Sequence, residues 1–247
     1  MGIKTNNGFT IIEVMLFLAV TGALTITILA GAGVSITQQR YRDSVNSLKS
    51  VIQDQYAEVS NVVNDRNQDW TCTTAGNVLS VEAAAGQPRG TSDCVVLGRM
   101  LTINETGTTL TASNVIGYRT PGATVGASDL AELESNYAIT ISPVNPETTD
   151  MSWGAQVVKA KSTNAQPLSI MIIRSPLSGA LITFTAEGMQ TNPKDMLNVG
   201  NMSTVRNLCV NPDGVLIGAK RLEVRINGYA TSQTGVSIPT EGDSVCD

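Results

Sequence analysis

From Phe9 to Ile36 the chain reads FTIIEVMLFLAVTGALTITILAGAGVSI, and Glu13 is its one charge. As a single helix this run is roughly 42 Å long, against about 30 Å for the hydrocarbon core of a bilayer. Beyond Ile36 the pattern changes to apolar residues at Tyr41, Val45, Leu48, Ile52, Tyr56, Val59 and Val63. Steps of three and four with polar residues between them predict an amphipathic helix. Asn64-Asp65-Arg66-Asn67 reads as its end. The expectation is one helix from Phe9 to Arg66, near 87 Å at the usual rise, apolar all round in its first half and striped in its second. The stripe is expected to dock on a sheet; a groove for a partner helix is the alternative.

From Trp70 onward short β-type runs lie between turn signals. The predicted strands are Val78–Glu82, Cys94–Ile103, Asn114–Arg119, Tyr137–Ser142, Ala155–Lys159, Leu168–Arg174, Ala180–Thr185, Val205–Val210, Val215–Ile217 and Leu222–Ile226. Leu222-Glu223-Val224-Arg225-Ile226 alternates, which predicts one solvated face. Asn211-Pro212-Asp213-Gly214 and Ser175-Pro176-Leu177-Ser178-Gly179 are turns. Asp129–Ser135 is a candidate short helix; 120–136 and 143–152 read as loop insertions, and the tail from Asn227 is polar. The predicted fold class is α+β, a long N-terminal helix packed on a mostly antiparallel sheet.

Composition narrows the chemistry. Histidine is absent from the 247 residues, which removes Ser-His and Cys-His pairs and imidazole metal sites. Gly242-Asp243-Ser244-Val245 therefore reads as a turn, not a nucleophile motif. No Asp-x-Asp-x-Asp-Gly calcium loop is present. Charged residues are 15% and aromatic residues 4%, so a multi-aromatic stacking surface is not expected. The formal net charge of −5 disfavours general nucleic-acid binding. Arg206, Lys220, Arg221 and Arg225 gather late in the chain; a solvated sheet face is the reading, and contact with DNA phosphates the alternative. Trp70 and Trp153 read as core residues. No enzyme activity and no cofactor is expected.

The opening of the apolar run carries the sharpest signal. A glutamate inside a membrane segment costs about 2.5–3.5 kcal/mol on insertion scales and so calls for a partner. A cut after Gly8 would supply one, because the new Phe9 amine stands one helical turn from Glu13. Gly8-Phe9-Thr10-Ile11-Ile12-Glu13, preceded by a short leader with Lys4, resembles the class III signal of type IV pilins and pseudopilins. The resemblance implies cleavage between Gly8 and Phe9 by a prepilin peptidase and methylation of the Phe9 amine. It also implies a membrane anchor that later packs with copies of itself in a helical filament, with Glu13 pairing to the Phe9 amine of a neighbour. Where many members carry a helix-breaking proline this chain has Ala30, with Gly22, Gly31 and Gly33 nearby to loosen the helix.

On that resemblance the chain divides into a leader (1–8), a membrane and filament-core segment (9–36), an amphipathic segment (37–67) and an extracytoplasmic head (68–247). The implied partners are copies of itself, other pilins, the prepilin peptidase, a platform membrane protein and an assembly ATPase. The implied location is a single-pass membrane protein before assembly and a cell-surface filament after it. The stretch from Leu208 to Ile217 is similar to the C-terminal hairpin of minor pilins and pseudopilins. A subunit of a secretion or competence machine is one alternative reading, and a membrane-anchored binding module is another.

The four cysteines are Cys72, Cys94, Cys209 and Cys246. An even count outside the membrane favours two disulfides. Three pairings are open, and that of sequence neighbours, Cys72–Cys94 with Cys209–Cys246, is favoured. The second bond would pin the tail to a strand, as the C-terminal disulfide loop does in many pilins. Spacings of 22, 115 and 37 residues speak against a four-cysteine zinc site, which uses close pairs. Asn104-Glu105-Thr106 is a glycosylation sequon.

Overall fold

The computed structural model describes residues 10–61, 70–73, 78–80, 94–143, 145–212, 220–240 and 242–246. The chain divides into two compact units, Met1–Arg40 and Tyr41–Asp247. Helix α1, Ile11–Ser60, runs through the boundary without a break. The glycines at 22, 31 and 33 do not interrupt it, and a Cβ at any of them would meet nothing. The end predicted at Arg66 lies outside the described residues.

In the first unit every large apolar side chain described between Ile11 and Ile36 is exposed. The helix has no polar face there, the signature of a segment whose surroundings are apolar on all sides. It is long and apolar enough to cross a membrane. Its threonines are already satisfied: the Thr21, Thr25, Thr27 and Thr37 hydroxyls donate to Phe17, Thr21, Leu24 and Gly33 carbonyls at 2.7–2.8 Å. Back-bonding of this kind lets a hydroxyl sit in a hydrocarbon environment.

The second unit is built on the other half of α1. Tyr41, Val45, Leu48, Ile52, Tyr56 and Val59 are 0–5% exposed, so the predicted stripe is the buried face; Val63 is outside the described residues. The strands are β1 (Trp70–Cys72), β2 (Val78–Ser80), β3 (Cys94–Ile103), β4 (Thr109–Arg119), β5 (Tyr137–Ile141), β6 (Glu147–Asp150), β7 (Gln156–Val158), β8 (Leu168–Arg174), β9 (Leu181–Glu187), β10 (Arg206–Asn211), β11 (Leu222–Ile226) and β12 (Val236–Ser237), with short helices α2 (Asp129–Asn136) and α3 (Val199–Ser203). The predicted strand Val215–Ile217 lies outside the described residues. All described pairings are antiparallel: β1 with β2, a sheet ordered β5-β4-β3-β8-β9 with β6 also on β4, and a sheet ordered β12-β11-β10-β7.

One core joins the α1 stripe to both sheets. It takes Leu101 and Ile103 from β3, Leu110 from β4, Ile170 and Ile172 from β8, Leu208 and Val210 from β10, and Val224 and Ile226 from β11. A second core lies on the other face of the larger sheet, where Met100, Val115, Met171 and Phe184 meet Leu133 of α2 and Met196. The candidate short helix at Asp129–Ser135, inside the 120–136 insertion, is α2 (Asp129–Asn136), and it roofs this face. Ser128 caps it by accepting from the Ala131 N–H. With a core on each side, β8 is buried from Leu168 to Ile173, which accounts for its unbroken apolar run. Where β3 bulges between Val96 and Gly98, a Cβ on Gly98 would run into the Ile172 carbonyl oxygen, so that position needs glycine.

Two sequence expectations are corrected here. The stretch 143–152 is not only loop: Glu147–Asp150 forms β6, an exposed strand held by its register against Thr109–Ala112. The alternation in β11 does not leave a wet face either. Glu223 is 1% exposed, because the tail at 242–246 covers it.

Candidate functional site

The N-terminal motif begins with a reciprocal cap. Thr10 precedes the first turn of α1 and donates to Oε2 of Glu13 from both its N–H and its hydroxyl, each at 3.0 Å. The Glu13 N–H donates back to the Thr10 hydroxyl at 3.3 Å. This is a capping box: two residues satisfy each other's open groups where a helix has no internal partners. The glutamate also stands in the first turn, where the helix dipole favours negative charge. Among the described residues only Oε2 of Glu13 is engaged. The Thr-x-x-Glu spacing was a legible signal of this cap that sequence reasoning missed. Gly8 and Phe9 lie outside the described residues, so their placement beside Glu13 does not enter this geometry.

A second constellation lies at the C-terminal tail. Cys209 of β10 and Cys246 form a disulfide with Cα atoms 5.5 Å apart. Cys94 is disulfide-bonded as well; the side chain of Cys72, its predicted partner, is outside the described residues. Cysteines held in disulfides offer no thiolate to zinc. Among the described residues no cluster of three or more metal-ligating side chains occurs. Around the tail bond, Glu223 accepts from the Val245 N–H at 2.8 Å and from Arg225 at 2.9 Å. Arg225 donates to the Asp243 carbonyl at 2.8 Å, and the Lys161 N–H to the Cys246 carbonyl at 3.2 Å. Ser244 accepts from the Cys246 N–H at 3.3 Å, a turn role.

The late basic residues do not form one face for phosphate. Arg225 is engaged in the tail, and Arg206 pairs with Glu187 at 2.9 Å while contacting Thr185. Lys220 is exposed. The sequon at Asn104 serves the β3–β4 turn: its side-chain oxygen accepts from the Thr108 and Thr109 N–H groups at 3.0 and 3.2 Å.

Buried polar groups fix α1 and α2. The Tyr41 hydroxyl donates to the Val210 carbonyl at 2.6 Å and accepts from the Leu222 N–H at 2.7 Å. The Tyr56 hydroxyl meets that of Thr183 at 2.9 Å, which donates to the Ala230 carbonyl; burial pushes the Tyr56 hydroxyl pKa up. Arg99, 6% exposed, reaches Gln55, Asn114 and Glu147. On α2, Glu132 accepts from the Gly126 N–H at 2.6 Å, from Arg119 at 3.0 Å and from Asn136. The Gly126 bond chiefly holds its carboxyl below the usual range. The Ser175 hydroxyl does the same for Asp129.

The tryptophan expectation is overturned at Trp153, which is 54% exposed and sits at φ 60°, ψ 25°. The Trp70 side chain is outside the described residues. Comparison with protein-family models, curated proteins and solved structures returned no match for this chain.

Proposed function

We propose that the chain is a structural subunit of a type IV pilus or pilus-like filament, processed after Gly8 and anchored by the first half of α1 until it assembles. One observation carries the reading. The hexapeptide Gly8–Glu13 opens the apolar run of the sequence, and the helix described from Ile11 carries in its later turns the packed face of an antiparallel head. An ordinary anchor needs no glutamate in its first turn and no Gly-Phe before it. A filament subunit uses both: Gly8 admits the peptidase, and Glu13 receives the amine freed at Phe9. The Thr10–Glu13 cap is compatible with this role, since it occupies Oε2 and leaves Oε1 to accept an ammonium.

On this reading the head is a pilin-like domain, and the helix exchanges lipid for neighbouring copies of itself. The exchange is nearly neutral for Leu and Ile, because water is excluded from both surroundings. The partners are further copies, other pilins, a prepilin peptidase, a platform membrane protein and an assembly ATPase.

Mass spectrometry of the N-terminal peptide tests the reading, on sheared surface filaments and on membranes. The expected peptide begins at N-methylated Phe9. In a Gly8→Val variant that species disappears and the unprocessed chain collects in the membrane. A mature chain that starts near Ala32–Val34 or keeps Met1 would overturn the reading in favour of a membrane-anchored module.

A further inference from the structure

Glu223 carries a charge where the fold needs none. Its side chain is 0% exposed, and a carboxylate is almost never buried that far without a partner. Arg225 is one partner, at 2.9 Å from Oε1. Oε2 accepts from the Val245 N–H at 2.8 Å and stands 3.8 Å from Sγ of Cys246. Strand pairing sets it there: Glu223 of β11 is opposite Cys209 of β10, which is opposite Val158 of β7. Val158 and both cysteines are 0% exposed. Holding the tail asks only for a neutral acceptor of the Val245 N–H. A charge in so dry a place costs more than a glutamine would, and what a carboxylate adds is the ability to take a proton.

The sulfur contact shows which proton. In the closed disulfide Cys246 has none to give, so the 3.8 Å approach is no hydrogen bond. Before closure the Cys246 thiol carries a proton, and a docked tail brings it to Oε2 of Glu223. The other charged residues around the tail engage other atoms. Arg225 donates to the Asp243 carbonyl, the Asp243 carboxylate accepts from the Thr240 hydroxyl at 2.8 Å, and Lys161 meets the tail through its main-chain N–H.

We propose that Glu223 is the general base that closes this chain's own tail disulfide. A disulfide-bearing oxidant, R–S–S–R, first exchanges with the Cys209 thiol, which leaves Cys209 joined to S–R and releases R–SH. The tail then docks, and Glu223 takes the Cys246 proton as that sulfur attacks Sγ of Cys209. The Cys246–Cys209 bond forms and the bond from Cys209 to S–R breaks. R–S⁻ leaves with the electron pair and is protonated from water, to which Glu223 returns its own proton. Two thiols are oxidised by two electrons in all, and the oxidant is reduced to two thiols. The carboxylate acts on this step in two opposed ways. As a base it generates the nucleophile at a pH where free thiols are protonated. As a fixed charge it repels a thiolate already formed. The first effect favours the wild type at low pH, and the second favours a neutral side chain at high pH. The step belongs wholly to the second unit and does not depend on processing at Gly8.

The test follows the reduced full-length chain in a nonionic detergent as glutathione disulfide reoxidises it, from about pH 6 to about pH 9, on both sides of the free thiol value. Peptide mass spectrometry of acid-quenched samples gives the glutathione adduct at Cys209 and the rate at which it is lost to the closed bond. The comparison is with Glu223→Gln, whose side-chain oxygen still accepts from the Val245 N–H, so that the tail docks without a base. The expected result is closure at least about tenfold faster in the wild type near pH 6, the low end of general-base effects, and no faster near pH 9. The wild type read alone, which decides the matter if the variant fails to fold, loses far less than tenfold in rate per pH unit below the thiol range. A step that waits for free thiolate loses about tenfold per unit. A wild-type slope that steep would overturn the proposal, as would a variant that closes as fast near pH 6. A ratio of rates that is the same at every pH would reduce Glu223 to a latch, and an adduct confined to Cys246 would put the base beside the wrong sulfur; either result also overturns it.

Discussion

Two tyrosine hydroxyls tie α1 to the strands, and their surroundings assign them different weights. Tyr41 is the partner of two main-chain groups at once, the Val210 carbonyl and the Leu222 N–H. Removing its hydroxyl takes that partner from both, the Val210 carbonyl in a buried setting and the Leu222 N–H in a partly buried one. Tyr56 bonds to Thr183, whose hydroxyl still has the Ala230 carbonyl. Tyr41→Phe is therefore expected to cost about 2–3 kcal/mol and Tyr56→Phe about 1 kcal/mol, since an orphaned buried group costs more than a lost bond. Urea unfolding of each variant measures the two. Equal losses would mean that the Val210 and Leu222 groups re-pair without Tyr41.

At the scale of elements, α2 is held on the larger sheet by two carboxylates, and this gives the sheet's roof a pH dependence. Glu132 and Asp129 both titrate below their usual values when folded. A carboxylate depressed in the folded state stabilises fully above its unfolded value and loses that contribution as pH falls through the folded one. Stability is thus expected to decline below about pH 4.5, the ordinary glutamate value. Glu132→Gln should flatten the upper part of that decline in melting curves taken from pH 7 to 3. A variant curve parallel to the wild type throughout would remove Glu132 from the account.

The same elements show why some of the fold was legible and some was not. The stripe from Tyr41 to Val59, and the strands β3, β8 and β11, announce themselves because burial imposes periodicity or an apolar run. Glu147-Thr148-Thr149-Asp150 carries no such mark; it is a strand through its pairing with β4, and only tertiary context supplies that. Glu223 looks solvated in its own strand because its cover comes from the tail, remote in sequence. Trp153 was misread because large aromatics are highly buried on average, an average that says nothing of a strained turn. The Thr10–Glu13 cap was the reverse case, a local pattern fully present in the sequence.

At the scale of the whole molecule, the tail closes the outer face of the smaller sheet. Its disulfide spans 37 residues, for which chain entropy predicts about 4 kcal/mol of stabilisation. Cys246→Ser should lower unfolding free energy by about that amount and open the tail to protease ahead of the rest of the head. Limited proteolysis with mass readout distinguishes a freed tail from general unfolding. Simultaneous cleavage throughout the head would mean the bond holds more than its own loop.

The central pairing of the larger sheet has a further consequence. β3 meets β8 with Leu101 opposite Ile170, so the two middle strands come from distant parts of the chain. Closing so long a loop must precede any return from the contacts it creates, which slows folding. Until it closes, Leu168–Ile173 can pair locally with Leu181–Glu187 but leaves its other, apolar edge open, the kind of edge through which nascent chains associate. The time taken by that one search, more than the strength of any finished strand, then governs how much newly made protein reaches the folded state instead of sticking to another copy.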